Sequence, residues 1–351
     1  MESIKEGYAM DLAQNVRFFL GANTAKGFYS AYESFADERN GDFVWYIKGG
    51  PGNGKSTFMK RVAEAAEQRG ERVEYAFCSG DPDSLDGIYL PERKTAYVDA
   101  TAPHVQEPML PGAAGRYIDL SAYYRPRTGW DREQIAALFE AYREQYRRAC
   151  GYFDAALACD PLRRRDAIHP TAAEAAMRAA ETLPQGEKAR VRERFTSAYT
   201  CRGLLAFPEL AAQSGKTCAV MGTGSDRQVF FRTLLALCGE KKLSVIRCPD
   251  PLDPADTDAV LIPEAGVRYV TRRRGLKSGG RTVSVSPEGV RDGREQPPEE
   301  LRRRARLCSS LLSLGCESLE RAKAEHDLLE KQYADHVDFR GMDALIRKHI
   351  R

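Results

Sequence analysis

The chain has 351 residues, long enough for two domains, with 42% hydrophobic residues, 29% charged residues and a net charge of +3. That balance gives no indication of nucleic acid, and no apolar run reaches membrane-spanning length. Nine cysteines without a C-x-x-C pair and five histidines that do not group with them exclude a zinc framework and read as reduced thiols of a cytoplasmic protein.

The start, Met1–Glu6, lacks the apolar core of a signal peptide. Phe43-Val44-Trp45-Tyr46-Ile47 is β-branched and aromatic, a strand. It runs into Gly49-Gly50-Pro51-Gly52-Asn53-Gly54-Lys55-Ser56-Thr57, which fits G-x-x-x-x-G-K-[ST], and then into a good helix former over Thr57–Ala66. Strand, glycine loop and helix in that order make a phosphate site. Glycines let main-chain amides curl round an anion, and the helix N-terminus adds partial positive charge. Residues 49–57 are therefore expected to hold the phosphates of ATP, with Lys55 on the β- and γ-phosphates and Ser56 on Mg²⁺.

A second strand covers Arg72–Cys78. Asp81, Asp83 and Asp86 follow; Asp83-Ser84 reads as a helix cap, although the cluster also suits a second substrate or a metal-bound water. Thr95–Val98 is an apolar strand ending in Asp99, which is expected to complete the Mg²⁺ shell. Glu92 is the runner-up for that role. His104 stands equally as a sensor of the γ-phosphate and as an exposed loop histidine. Asp131 could cap a helix in which Ile135, Leu138, Phe139, Tyr142, Tyr146, Ala149 and Phe153 recur at helical spacing, a stripe that reads as core. Another helix covers 171–182. Arg125, Arg194 and Arg202 are each candidates for an arginine finger. The arginine triplets at 163–165, 272–274 and 302–304 lie near acidic residues and read as solvated faces.

A shift of 172 brings much of the order back. Leu90-Pro91-Glu92 falls on Ile262-Pro263-Glu264, Phe58 on Phe230, and Gly50 and Gly52 on Gly222 and Gly224. The strand Leu243–Cys248 matches the one ending at Cys78 with a two-residue slip. In this copy Gly54 becomes Asp226, Lys55 becomes Arg227, Ser56 becomes Gln228 and Asp99 becomes Thr271, so its chemistry is lost. Glu264 survives there, which gives Glu92 a structural role. Ser214-Gly215-Lys216-Thr217 precedes its strand and is a decoy. The tail from Pro298 to Arg351 is helical and charged.

The expected fold is α/β, a P-loop NTPase-type, mainly parallel sheet flanked by helices and duplicated in tandem. Residues 1–205 form the working domain, with a helical insert at about 125–200, and 206–351 the worn one, open to a protein partner or a second copy of the chain. The segments 21–28, 78–87, 98–104 and 195–198, taken with the glycine loop, resemble a bacterial, mostly Firmicute, family of tandem P-loop ATPase or nucleotide-kinase-like proteins, over most of the first 200 residues. That resemblance implies nucleotide binding and hydrolysis. Members have two intact loops, and this chain departs from them at Asp226, Arg227 and Gln228. An ATPase, a small-molecule or nucleotide kinase and an ATP-switched interaction protein all fit these residues. The absence of an Asn-Lys-x-Asp element leans to ATP over GTP.

Overall fold

The computed structural model describes residues 15–103, 105–125, 129–160, 169–207, 210, 215–271, 281–285 and 299–350. The first half supplies β1 (Val16–Phe19), a hairpin of β2 (Gly21–Thr24) and β3 (Gly27–Ser30), β4 (Phe43–Lys48), helix α1 (Lys55–Glu67), β5 (Glu74–Phe77), β6 (Leu85–Leu90), β7 (Thr95–Asp99) and β8 (Gly115–Asp119). Helices α2 (Arg132–Cys159) and α3 (Pro170–Glu181) follow. The second half runs β9 (Arg190–Glu193), a hairpin of β10 (Ser197–Thr200) and β11 (Gly203–Ala206), β12 (Lys216–Met221), α4 (Gly224–Glu240), β13 (Ser244–Pro249), β14 (Thr257–Ile262), β15 (Val267–Thr271) and β16 (Arg281–Ser284). It ends in α5 (Glu299–Ala334) and α6 (Phe339–His349).

The two six-stranded sheets have the same order, β1-β5-β6-β7-β4-β8 and β9-β13-β14-β15-β12-β16. Both are mixed and, as the sequence suggests, mainly parallel, with three of the five strand pairs in each sheet parallel. Strands β5, β6 and β7 are antiparallel neighbours, as are β13, β14 and β15, and the remaining pairs are parallel. The reason is connection length. A short turn joins β5 to β6 and a 3-10 turn at Pro91–Arg93 joins β6 to β7, too little chain for a crossover. The helix cap expected at Asp83-Ser84 is accordingly not one. Asp81 accepts from the Asp83 amide at 3.1 Å and the Ser84 hydroxyl at 3.0 Å, and the turn feeds a strand.

Register ties the halves together more closely than the sequence suggests. A bulge between Ala76 and Phe77 against β6 recurs between Cys248 and Pro249 against β14, so the offset stays at 172 and the two-residue slip is not there. Glu92 accepts from the Arg72 amide at 3.2 Å and Glu264 from the Ser244 amide at 3.2 Å, the shared structural role expected of that glutamate. The hairpins match too, with the Thr24 hydroxyl donating to the Gly27 carbonyl and Thr200 to Gly203. Phe19 and Phe195 exchange both main-chain hydrogen bonds at 2.9 Å where the halves meet.

The described helices cover one face of each sheet. Ile47, Leu85, Ile88, Leu90 and Tyr97 of the first sheet meet Phe58, Met59 and Val62 of α1 and Met342 and Ile346 of α6. The opposite face, with Val44, Tyr46, Ala76, Ala96 and Val98, shares a core with Cys248, Ala259 and Leu261 of the second sheet. On the far side Val220, Val245, Val260 and Ile262 meet α4 and the alanine face of α3, Ala172, Ala175, Ala176 and Ala180. The layers thus run helix, sheet, sheet, helix, and the closing helices are exchanged. Helix α3, from the first half, lies on the second sheet's side, and α6, from the second half, lies on the first's. No described helix is long and apolar enough to cross a membrane.

Helices α2 and α5 pair antiparallel between the halves. The Asp131 cap is as expected, accepting from the Gln134 amide at 2.9 Å, and Ala149 and Phe153 are buried. Gly315 of α5 marks the closest approach, because a Cβ there would come within 2.3 Å of the fully buried Phe153 ring. Gly315→Leu is expected to cost about 1–3 kcal/mol through overpacking, read as a lowered denaturant midpoint with an unchanged slope.

Candidate functional site

The glycine loop leaves β4 and enters α1 as the spacing requires. Gly52 and Gly54 take φ of +63° and +81°, a conformation that favours glycine. Lys55, the first residue of α1, folds back over the loop, and its Nζ donates to the carbonyls of Gly49 and Gly50 at 2.9 Å each. Asp99 ends β7 directly beside Ile47 of β4, and its Oδ2 stands 3.6 Å from Lys55 Nζ. Its Oδ1 accepts from the Thr101 amide at 2.9 Å, and the Thr101 hydroxyl donates to Gly49 O at 3.0 Å. Loop, lysine and aspartate are therefore one hydrogen-bonded unit.

Ser56 is in the first turn of α1, where its Oγ accepts from the Leu85 amide at 3.0 Å and keeps a second lone pair. Asn53 is 1% exposed, and neither atom of its side-chain amide has a partner. A Cβ on Gly49 would meet that amide nitrogen at 2.7 Å, so it lies inside the curl of the loop. Buried polar groups are normally satisfied, and an unsatisfied one within a ring of amides beside a lysine and a carboxylate suits an anion with a metal counter-ion. Pro51 is half-buried and Thr57 is exposed on α1.

The outer side of the loop is not open. The Gly50 amide donates to Tyr124 Oη at 3.1 Å, and burial pushes that phenol up to about 12. A Cβ on Gly52 would lie 2.7 Å from the Glu330 carbonyl oxygen of α5, and one on Gly54 would lie 3.1 Å from the Met342 sulfur of α6. Two of these glycines thus also admit helices of the other half. Tyr124, Glu330 and Met342 lack any sequence signal of a phosphate site. The spacing Lys323, His326, Asp327, Glu330 along α5 is that of one helix face and was the available clue.

His104 lies outside the described residues, as do the arginine triplets at 163–165 and 272–274. Arg194 is not a finger. It is buried in the interior, 4.7 Å from the Phe18 ring centroid, and donates to the carbonyls of Ser34, Phe35 and Glu193. Arg202 pairs with Asp83, and the Arg125 amide donates to His336 O at 2.7 Å. None of the nine cysteines is in a disulfide, and burial raises the pKa of Cys78, Cys238, Cys248 and Cys316.

The second copy is closed where the first is curled. Helix α4 already starts at Gly224, capped by Thr223, so Asp226 and Arg227 lie in its first turn. Asp226 is fully buried and accepts from the amide of His169 at 2.9 Å, while its other oxygen stands 2.9 Å from His169 Nδ1. The exchanged helix α3 begins at that residue. Gln228 bonds the main chain of Thr257 in both directions, at 2.7 and 3.1 Å, where Ser56 accepts from Leu85. Arg227 donates to Gly222 O as Lys55 does to Gly50 O. The framework survives, while the position of Gly54 is taken by a buried carboxylate engaged by His169.

No family model, curated protein or solved structure matches the chain.

Proposed function

We propose that this chain is a Mg²⁺-dependent P-loop protein of the cytoplasm that binds and hydrolyses ATP at one site, on the first half. The observation that carries this is the pairing of Lys55 with Asp99 at 3.6 Å across the glycine loop and the tip of the adjacent parallel strand. On this reading the main-chain N–H groups of residues 52–57 take the phosphates, and Lys55 turns from the carbonyls of Gly49 and Gly50 to phosphate oxygens. Ser56 and Asp99, the latter directly or through water, would hold the metal. Bound Mg²⁺ would supply positive charge where the transferring phosphoryl group gathers negative charge. Asn53, inside the loop, gains an acceptor or donor partner.

The test is calorimetry of ATP with the full chain, with and without Mg²⁺. One nucleotide per chain, tighter with the metal, is expected. Two per chain would overturn the reading of the second half, and none would overturn the whole. Phosphate release without an acceptor marks an ATPase, and ADP formed only on adding an acceptor marks a kinase.

A second reading is favoured by the contacts of Gly52 and Gly54 with α5 and α6. ATP would then set how the second half's helices seat on the first half, with little turnover. A large nucleotide-dependent change in protease protection of residues 320–350, alongside slow hydrolysis, would support it.

A further inference from the structure

Helix α5 follows the second sheet in sequence, yet its last turns lie on the first half's loop. The Cα and carbonyl oxygen of Glu330 would be 3.0 and 2.7 Å from a Cβ on Gly52. One turn earlier on the same face stands His326, 28% exposed at its side chain. Its ring centroid is 5.5 Å from that of Tyr142 on α2, its Nδ1 is 3.7 Å from Glu330 Oε1, and it lies within the field of the Lys55 ammonium. One turn earlier again, Lys323 reaches Asp81 at 3.5 Å and pairs with Asp327. A single face of α5 therefore carries, one turn before its contact with the loop at Gly52, an imidazole flanked by Glu330 and Tyr142.

We propose that His326 accepts the proton of the water that attacks the terminal phosphate, with Glu330 as the positioning residue behind it; this rests on reading the loop as an ATP-hydrolysing site. With Nδ1 turned to Glu330, Nε2 is the nitrogen left for the water. The water oxygen bonds to the γ-phosphorus as the bond from that phosphorus to the β,γ-bridging oxygen breaks, and ADP leaves with the bonding pair. One water proton passes to Nε2 and on to solvent, and the other stays on the phosphate formed.

The surroundings keep the ring ready for this. Burial is the largest influence and pushes its pKa below the ordinary imidazole value, Lys323 and Lys55 push the same way, and Glu330 and Asp327 oppose them. Tyr142 faces the ring from α2. Neutral imidazole, the proton-accepting form, is thus the resting state near neutral pH. His326, Asp327 and Glu330 also bring ligand atoms within 4.8 Å of one another. The Lys323 ammonium paired to Asp327 places a cation in that cluster already, which favours proton transfer over metal binding.

The test uses the full chain as wild type, His326→Gln and Glu330→Gln, with calorimetric ATP–Mg²⁺ affinity and phosphate release from pH 5 to 8. Wild-type hydrolysis is expected to fall on acidification as His326 takes up a proton. His326→Gln is expected to bind ATP with unchanged affinity and to hydrolyse about 10²–10⁴-fold more slowly, without that acid limb. Glu330→Gln removes an influence that raises the imidazole pKa, so its acid limb moves to lower pH; a change of packing alone would not move it. That shift carries the test if His326→Gln melts early. Wild-type rate in His326→Gln, loss of affinity matching loss of rate, or an unmoved acid limb in Glu330→Gln would each overturn the role of His326. Wild type that binds ATP without hydrolysing it would do the same while leaving the loop as a nucleotide site, and wild type that binds no nucleotide would overturn both.

Discussion

Lys55→Ala is expected to lower ATP affinity by about 10²-fold or more and hydrolysis by at least about 10³-fold, the scale at which one preorganised charged donor to a transferring group acts. The fold should survive. The Lys55 ammonium makes two hydrogen bonds to loop carbonyls and one ion pair, at the edge of solvent with a 13% exposed side chain, so its removal costs about 1 kcal/mol after screening. Circular dichroism and the melting curve should be close to wild type. Arg227→Ala is the internal control. It removes the equivalent side chain of the second half, where Asp226 is already engaged by His169, and nucleotide stoichiometry should be unchanged. Full turnover in Lys55→Ala would refute the assignment of the site.

Arg194→Leu is expected to be the most destabilising of the substitutions considered, by about 3–5 kcal/mol. The guanidinium is 2% exposed and burial pushes its pKa down to about 9, so a charge is being kept dry at a cost. Three carbonyls and the faces of Phe18 and Phe35, at 4.7 and 5.3 Å, offset that cost. Leucine would leave the Ser34 and Phe35 carbonyls without this donor and would not fill the volume. At about 2–4 °C per kcal/mol the melting temperature should drop by roughly 10 °C. A loss under about 1 kcal/mol would mean the arginine only breaks even there. Because Arg194 sits between the 3-10 turn Tyr32–Ser34 of the first half and β9, the loss should appear as one cooperative transition involving both halves.

What the sequence made legible was local. Strand Phe43–Lys48, the loop and α1 could be read because glycine spacing, β-branching and helix propensity all act within about twenty residues. Asp99 at its strand tip and the cap at Asp131 were legible on the same grounds. Strand direction was not, because a run such as Ile88-Tyr89-Leu90 looks alike whichever way it points. Nor was the meeting of the sheets. Both faces of β4 are apolar, and the pattern does not say whether a helix or a second sheet covers Val44 and Tyr46. The changed loop residues of the second half were visible one by one, but that a histidine at the start of α3 engages Asp226 was not. Least visible was that Tyr124, His326 and Glu330 come near the loop, since the spacing along α5 shows a shared helix face but not what lies across from it, up to 280 residues away.

The exchanged closing helices bear on how such a chain could arise. Among the described residues the apolar face of α3 is covered by α4 and the second sheet, and that of α6 by α1 and the first sheet. An isolated half would thus end in a sticky helix and carry an uncapped sheet, two defects that a second copy of itself would cure at once, giving a domain-swapped dimer with two like clefts. Joining the copies end to end turns that encounter into an intramolecular one at millimolar effective concentration. In one chain the two loops no longer need to be alike, and Asp226, Arg227 and Gln228 stand where the first half has Gly54, Lys55 and Ser56.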